Sequence, residues 1–123
     1  ASAYFDLLIG AGTQTAFNNA NAYLGVGNSA TAWAATQTDL IGASKNRQGQ
    51  EATFPDHTDG TTSANDSCIW KSQWATGDGN FAWAEWALFN AAAAGRMLQR
   101  KVESLGTKTS AAIWTLTITL DLT

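Results

Sequence analysis

One domain is all that 123 residues allow, and at that size about two-thirds of the unfolded surface is buried, enough for one core without staples. The charged fraction is 14%, well below the usual ~25%, so the polar surface is mainly Thr, Ser, Asn, Gln and Gly, which suits an outside partly covered by neighbours. A net charge of −3 leaves no basic face, which makes nucleic acid and anionic membrane poor partners, and no apolar run approaches the ~20 residues of a membrane span.

Tyr4, Leu7, Leu8 and Ala11 recur at helical spacing until Gly10 and Gly12 stop the pattern. This predicts a short N-terminal helix, then a loop through Asn18 and Asn19. Residues 1–20 are accordingly read as a helix or arm, and 21–123 as the domain proper. Residues 22–27 (AYLGVG) read as a strand with glycines that allow a bulge or a close backbone approach. The Ala-rich stretch 30–36 is a loop or a single helical turn, another ordered piece begins at Asp39, and 45–53 reads as a strand carrying Lys45, Arg47 and Glu51.

Residues 55–67 (PDHTDGTTSANDS) form a turn cluster and the best candidate for an exposed hairpin loop. After it, Cys68, Trp70, Ser72 and Trp74 share one face of an alternating strand. A turn at 76–80 leads to 81–89 (FAWAEWALF), with bulk on both faces. Phe81, Trp83, Glu85, Ala87 and Phe89 are expected on one side, with Ala82, Ala84, Trp86 and Leu88 on the other. Such a strand is central, covered by a core on one face and by another layer or subunit on the other. Residues 97–102 alternate, 104–111 reads as a turn, and Trp114, Leu116, Ile118, Leu120 and Leu122 alternate with Thr and Asp in a half-buried final strand. Short strands with turns about every ten residues predict a mainly β fold, an antiparallel β-sandwich or jelly roll with a short N-terminal helix.

Residues able to do chemistry are few. Cys68 is the only cysteine, which reads as a small apolar strand residue, with an intermolecular bridge as the alternative. The one histidine, His57, stands between Asp56 and Asp59, where a cation-binding loop competes with ordinary turn chemistry; the spacing misses the EF-hand template. Glu85, alone among apolar neighbours, is expected to pair with Arg96 or Arg100 inside the fold. There is no phosphate-binding glycine loop and no Cys/His cluster. The reading is therefore a non-enzyme with no cofactor and no metal.

The six tryptophans demand a role. Trp74, Trp83 and Trp114 are in phase with apolar neighbours and read as core. Trp33 and Trp86 are the interface candidates, together with Tyr4, Phe5 and Leu8 of the helix. Exposed tryptophans stacking on sugar rings, as in a carbohydrate-binding module, are the competing use.

The run from Gly77 to the end resembles small virion proteins of tailed bacteriophages, and residues 16–42 resemble the same group more weakly. The likeness lies in Phe81, Trp83, Glu85, Trp86, Leu88, Phe89 and Asn90, then Gly95, Met97, Leu98, Arg100, Lys101 and Val102, then Gly106, Thr107 and Lys108. A shorter pattern, Glu85, Ala87, Leu88 and Phe89, is similar to the sheet of tail-collar and fibre-attachment domains, although Ala87 stands where Gly is frequent. The resemblance implies a structural protein of the virion, assembled in the host cytoplasm. Its partner would be the major capsid protein, as for a decoration or cement protein, or alternatively tail and baseplate proteins. It also implies a homo-oligomer.

Overall fold

The computed structural model describes residues 2–57 and 67–121. One helix, α1 (Ser2–Ile9), precedes seven strands: β1 (Tyr23–Gly27), β2 (Lys45–Gly49), β3 (Asp56–His57), β4 (Ser67–Trp74), β5 (Ala82–Phe89), β6 (Met97–Thr107) and β7 (Trp114–Asp121). They form two antiparallel sheets, ordered β2–β1–β5–β6 and β3–β4–β7. The expected mainly β, sandwich-like fold with a short N-terminal helix is the one observed.

The helix ends where its glycines stop it. Gly10 takes a left-handed φ of +69°, and Ala11 N–H reaches back to Asp6 C=O at 2.9 Å, the six-to-one closure of a Schellman motif. The segment after the helix is packed down rather than free. Phe17 lies in the core, Trp70 Nε1 donates to its carbonyl at 3.0 Å, and Asn90 Nδ2 donates to Thr15 C=O at 3.0 Å. Arg96 ties the helix to the β5–β6 turn through Asp6 at 3.0 Å.

The main core lies between the sheets. Leu24 and Val26 of β1, Trp86 and Leu88 of β5, and Trp70 and Trp74 of β4 are among its buried members, with Ala3 of α1 beside them. On β4 the predicted face of Cys68, Trp70, Ser72 and Trp74 is the inward one. Trp83 stands edge-on to Trp74 and to Trp114, with ring centroids 4.9 Å apart in each pair. The expected placement of Trp83 beside Glu85 and Phe89 is therefore corrected: it joins the inter-sheet core with Trp86 and Leu88. The pairing with β6 slips between Trp83 and Glu85, so that residues 103–105 stand opposite Ala84 alone. A bulge of this kind bends the strand and re-aims its side chains.

Two other boundaries shift. The region 104–111 is not one turn: β6 runs to Thr107, and the turn follows it. The strand expected over 45–53 ends its sheet pairing at Gly49, then Gln50 bridges Ser72 and Glu51 N–H donates to Lys71 C=O at 2.8 Å. Chain 45–57 thus passes from one sheet to the other and stitches them along β2 and β4. Gln50 Nε2 to Ser72 Oγ and Ser72 Oγ to Gln48 C=O, both 3.0 Å, reinforce the stitch.

At the opposite side the sheets end in β6 and β7, which are not paired with each other among the described residues. The inward row of β7 (Trp114, Leu116, Ile118, Leu120) is only half-buried. The two sheets are therefore linked along one side by the Gln50–Ser72 bridge and the Glu51–Lys71 bond, and lie open to each other along the β6–β7 side.

Candidate functional site

β5 is central in its sheet, as its two-sided bulk predicts. What covers its second face is the chain itself. The connection 28–44 folds over Ala87 and Phe89, with Leu40 packed against them. Arg47 lies over the Phe89 ring, 3.4 Å from its centroid, a cation–π contact on the same layer.

Glu85 and Arg100 organise that layer. Both side chains are 0% exposed, and Arg100 Nε is 2.8 Å from Glu85 Oε1. The carboxylate also accepts the backbone N–H groups of Ile41 (2.8 Å), Gly42 (2.7 Å) and Ser29 (3.2 Å). Arg100 spends its remaining donors on Thr31 C=O at 2.9 Å and Gln37 Oε1 at 3.1 Å. Of the two partners expected for Glu85, Arg100 is the one that pairs with it. Burial by itself pushes the Glu85 carboxyl up, but the amide of Ile41, the guanidinium of Arg100 and the amides of Gly42 and Ser29 outweigh it and hold the group below the ordinary carboxylate range. The backbone must come very close to the carboxylate. At Gly27 an added Cβ would collide with Glu85 Oε2, and at Gly42 it would stand 2.9 Å from the same atom.

Both flanks of the loop carrying Trp33 are thereby fixed: Ser29 and Thr31 on one side, Gln37 on the other. Gln37 closes the loop itself, donating to Ala32 C=O at 3.0 Å and accepting from Ala34 N–H at 3.2 Å. Trp33 is held out at 53% exposure, on a loop with little freedom left to lose on contact. Beside it lies a cleft of about 570 Å³ lined by Tyr4, Phe5, Trp33, Leu98, Arg100 and Leu120. The helix adds Phe5 (61% exposed), Leu8 (69%) and Ile9 (73%), so the apolar positions of α1 point largely outward.

Of the sequence candidates, Tyr4, Phe5 and Trp33 come together at this cleft. Leu8 is exposed on the same helix. Trp86 is elsewhere, 6% exposed in the inter-sheet core, with Nε1 donating to Glu103 Oε2 at 3.1 Å. It lines the floor of a groove of about 460 Å³ along the open seam, with Leu98, Leu105, Leu116, Ile118 and Leu120. Trp74 and Trp83 are buried and Trp114 is half-buried. Sequence reasoning missed Ile9 and the seam residues of β6 and β7. Nothing in the local pattern marks them, because alternation looks the same in a sealed strand and in an open one.

The tyrosine and phenylalanine of the helix meet edge-on, at 83° between ring planes, which is unlike the coplanar platform that sugar stacking uses. His57 is exposed at the end of β3, opposite Cys68, and Asp59 and most of the expected 55–67 hairpin loop lie outside the described residues. Burial, followed by the charge of Asp56, raises the Cys68 thiol above its ordinary value, which disfavours the thiolate. Among the described residues no three His, Cys, Asp or Glu side chains stand close enough to share a metal ion. Compared with protein-family models, curated proteins and solved structures, the chain matches none of them.

Proposed function

We propose that this protein is a non-enzymatic structural component of a tailed-phage virion, attached to the capsid surface by protein–protein contacts. The observation that carries the associative part is the exposed pair Phe5 and Trp33 lining one cleft, with Leu8 and Ile9 also exposed on the helix that carries Phe5, on a surface with few charges. Isolated exposed apolar residues are ordinary, but exposed aromatic rings gathered at a cleft mark an interaction site. Covering a large apolar side chain fully is worth roughly 1.5–3 kcal/mol, so even partial covering of four supplies a useful share of a binding energy. Trp33 is the natural anchor, being large, aromatic and already ordered by the Glu85–Arg100 pair.

The virion assignment rests on the sequence resemblance over residues 77–123. The same resemblance admits a tail or baseplate position. Copy number decides: quantitative mass spectrometry of gradient-purified particles should find copies on the scale of the shell subunits. A handful of copies per particle would move the protein to the tail, and absence from particles would overturn the virion reading. Leu8→Ser with Ile9→Ser should reduce incorporation while leaving the domain folded.

A further inference from the structure

We propose that β7 pairs antiparallel with β7 of a second copy, about a two-fold axis at Ile118, and that this pairing closes the open seam of each sandwich. The proposal goes beyond the associative reading above by naming a second surface and the partner it takes.

Three observations carry it. The first is the mismatch between the sheets: one has four strands and the other three, β6 and β7 are unpaired edges, and α1, with Ala3 in the core, packs against β6 beside the seam. The groove of about 460 Å³ lies there, with half-buried Leu116, Ile118 and Leu120 on one wall and Leu98 and Leu105 on the other.

The second is the character of the edge. Exposed edges are normally blunted by lysine, proline, bulges or extreme shortness. β3 has two residues, β2 carries Lys45 and Arg47, and β6 carries Lys101 and Glu103 and is interrupted by two register shifts. β7 has none of these. It is eight residues long, pairs with β4 without a break, and has one charged residue, Asp121, at its end.

The third is self-complementarity, which a two-fold interface requires. Directly opposite residues of an antiparallel pair lie on the same face. The groove touches β7 from Leu116 to Leu120, so its midpoint is Ile118. With the axis there, Leu116 faces Leu120 of the second copy on the inner side, and Thr117 faces Thr119 on the outer side. Asp121 faces Thr115, so no like charges oppose. Apolar pairs across the seam and Thr–Thr pairs outside it are both stabilising combinations. The inward row of the second copy would extend the apolar layer over the groove that each chain alone leaves open.

The test is a charge swap at Thr117 and Thr119, whose side chains are exposed. The wild-type chain should sediment at twice its 13.0 kDa mass. Thr117→Lys with Thr119→Lys, and separately Thr117→Glu with Thr119→Glu, should each weaken the dimer by roughly tenfold or more, because like charges then stand directly opposite. Circular dichroism of both variants should match the wild type. An equimolar mixture of the two should return to the dimer mass, an outcome that an unfolded or generally damaged chain could not produce. A wild-type chain at 13.0 kDa, or two variants that associate as well as the wild type does, would overturn the proposal. Neither result bears on copy number in particles, so the virion reading stands or falls separately.

Discussion

The two long sides of this sandwich are finished in different ways. On the β2–β4 side the backbone itself crosses between the sheets, and Gln48, Gln50 and Ser72 sew the crossing with hydrogen bonds. On the β6–β7 side the crossing is made only at one end. There Lys108, 1% exposed, donates from Nζ to Ala75 C=O at 2.7 Å and Asn80 Oδ1 at 2.8 Å, and the rest of the seam is a groove walled by Leu98, Leu105, Leu116, Ile118 and Leu120 together with Lys101 and Glu103. The first side is complete in one chain. The second has the half-buried apolar surface of a core that lacks part of its cover. The difference teaches that a small domain with an ordinary hydrophobic content and little charge can seal its core along one side by crossing the backbone and leave it half-buried along the other.

Breaking the sealed layer is expected to have the largest effect. Glu85→Ala removes one partner of a fully buried ion pair and leaves Arg100 unpaired, which should cost about 3–5 kcal/mol in denaturant unfolding. The amides of Ser29, Ile41 and Gly42 should lose protection from hydrogen exchange in the same variant, because their acceptor is gone. A wild-type unfolding curve would show that the pair does not hold the layer.

The comparison sharpens with a matched pair of core deletions. Leu24→Ala, in the fully enclosed part of the core, should cost about 2–5 kcal/mol. Ile118→Ala, on the seam, should cost distinctly less in a dilute, monomeric sample, since its side chain is only half-buried. Its cost should rise with protein concentration if the seam is covered on association. Equal costs at every concentration would mean that the seam is already sealed.

Acid should also act on the layer that Glu85 holds together. The Glu85 pKa is depressed in the folded state, so its contribution is full above the ordinary glutamate value near 4.5 and is lost as pH falls through the lower folded value. Stability should therefore decline below about pH 4.5, and the decline should be shallower in Glu85→Gln, measured as unfolding midpoint against pH.

The smallest effect on stability is expected at the exposed residues of α1. Phe5→Ser and Leu8→Ser remove exposed side chains and should shift unfolding by no more than about 0.5 kcal/mol, while weakening attachment to particles. A large loss of stability would instead show that Phe5 and Leu8, and not only the buried Ala3, anchor the helix to the core.

Much of the fold was legible beforehand because its signals are local. Alternation marked β4 and β7, Gly10 and Gly12 marked the end of α1, and the polar cluster at 76–80 marked a turn. The isolation of Glu85 among apolar neighbours was enough to demand an arginine. Less of the candidate site was legible. Tyr4, Phe5 and Trp33 were named and do converge, but Trp86 had the same credentials and is enclosed. The residues of the resemblance turn out to include the ones that brace this fold: Glu85 with Arg100, Asn90 bonding Thr15 and Arg96, and Lys108 at the corner.

By itself, then, the sequence determined the strand periods, the helix, the turns and the low-charge surface, because each depends on neighbours a few residues apart. Tertiary structure alone decided the rest. The slip beside Trp83, the layer formed over Phe89 by residues 28–44, the outward turn of Trp33 and the seam between β6 and β7 all arise from pairings between distant segments. Where a ladder slips or stops depends on the whole set of strands that compete for each edge, and no window of the chain contains that set.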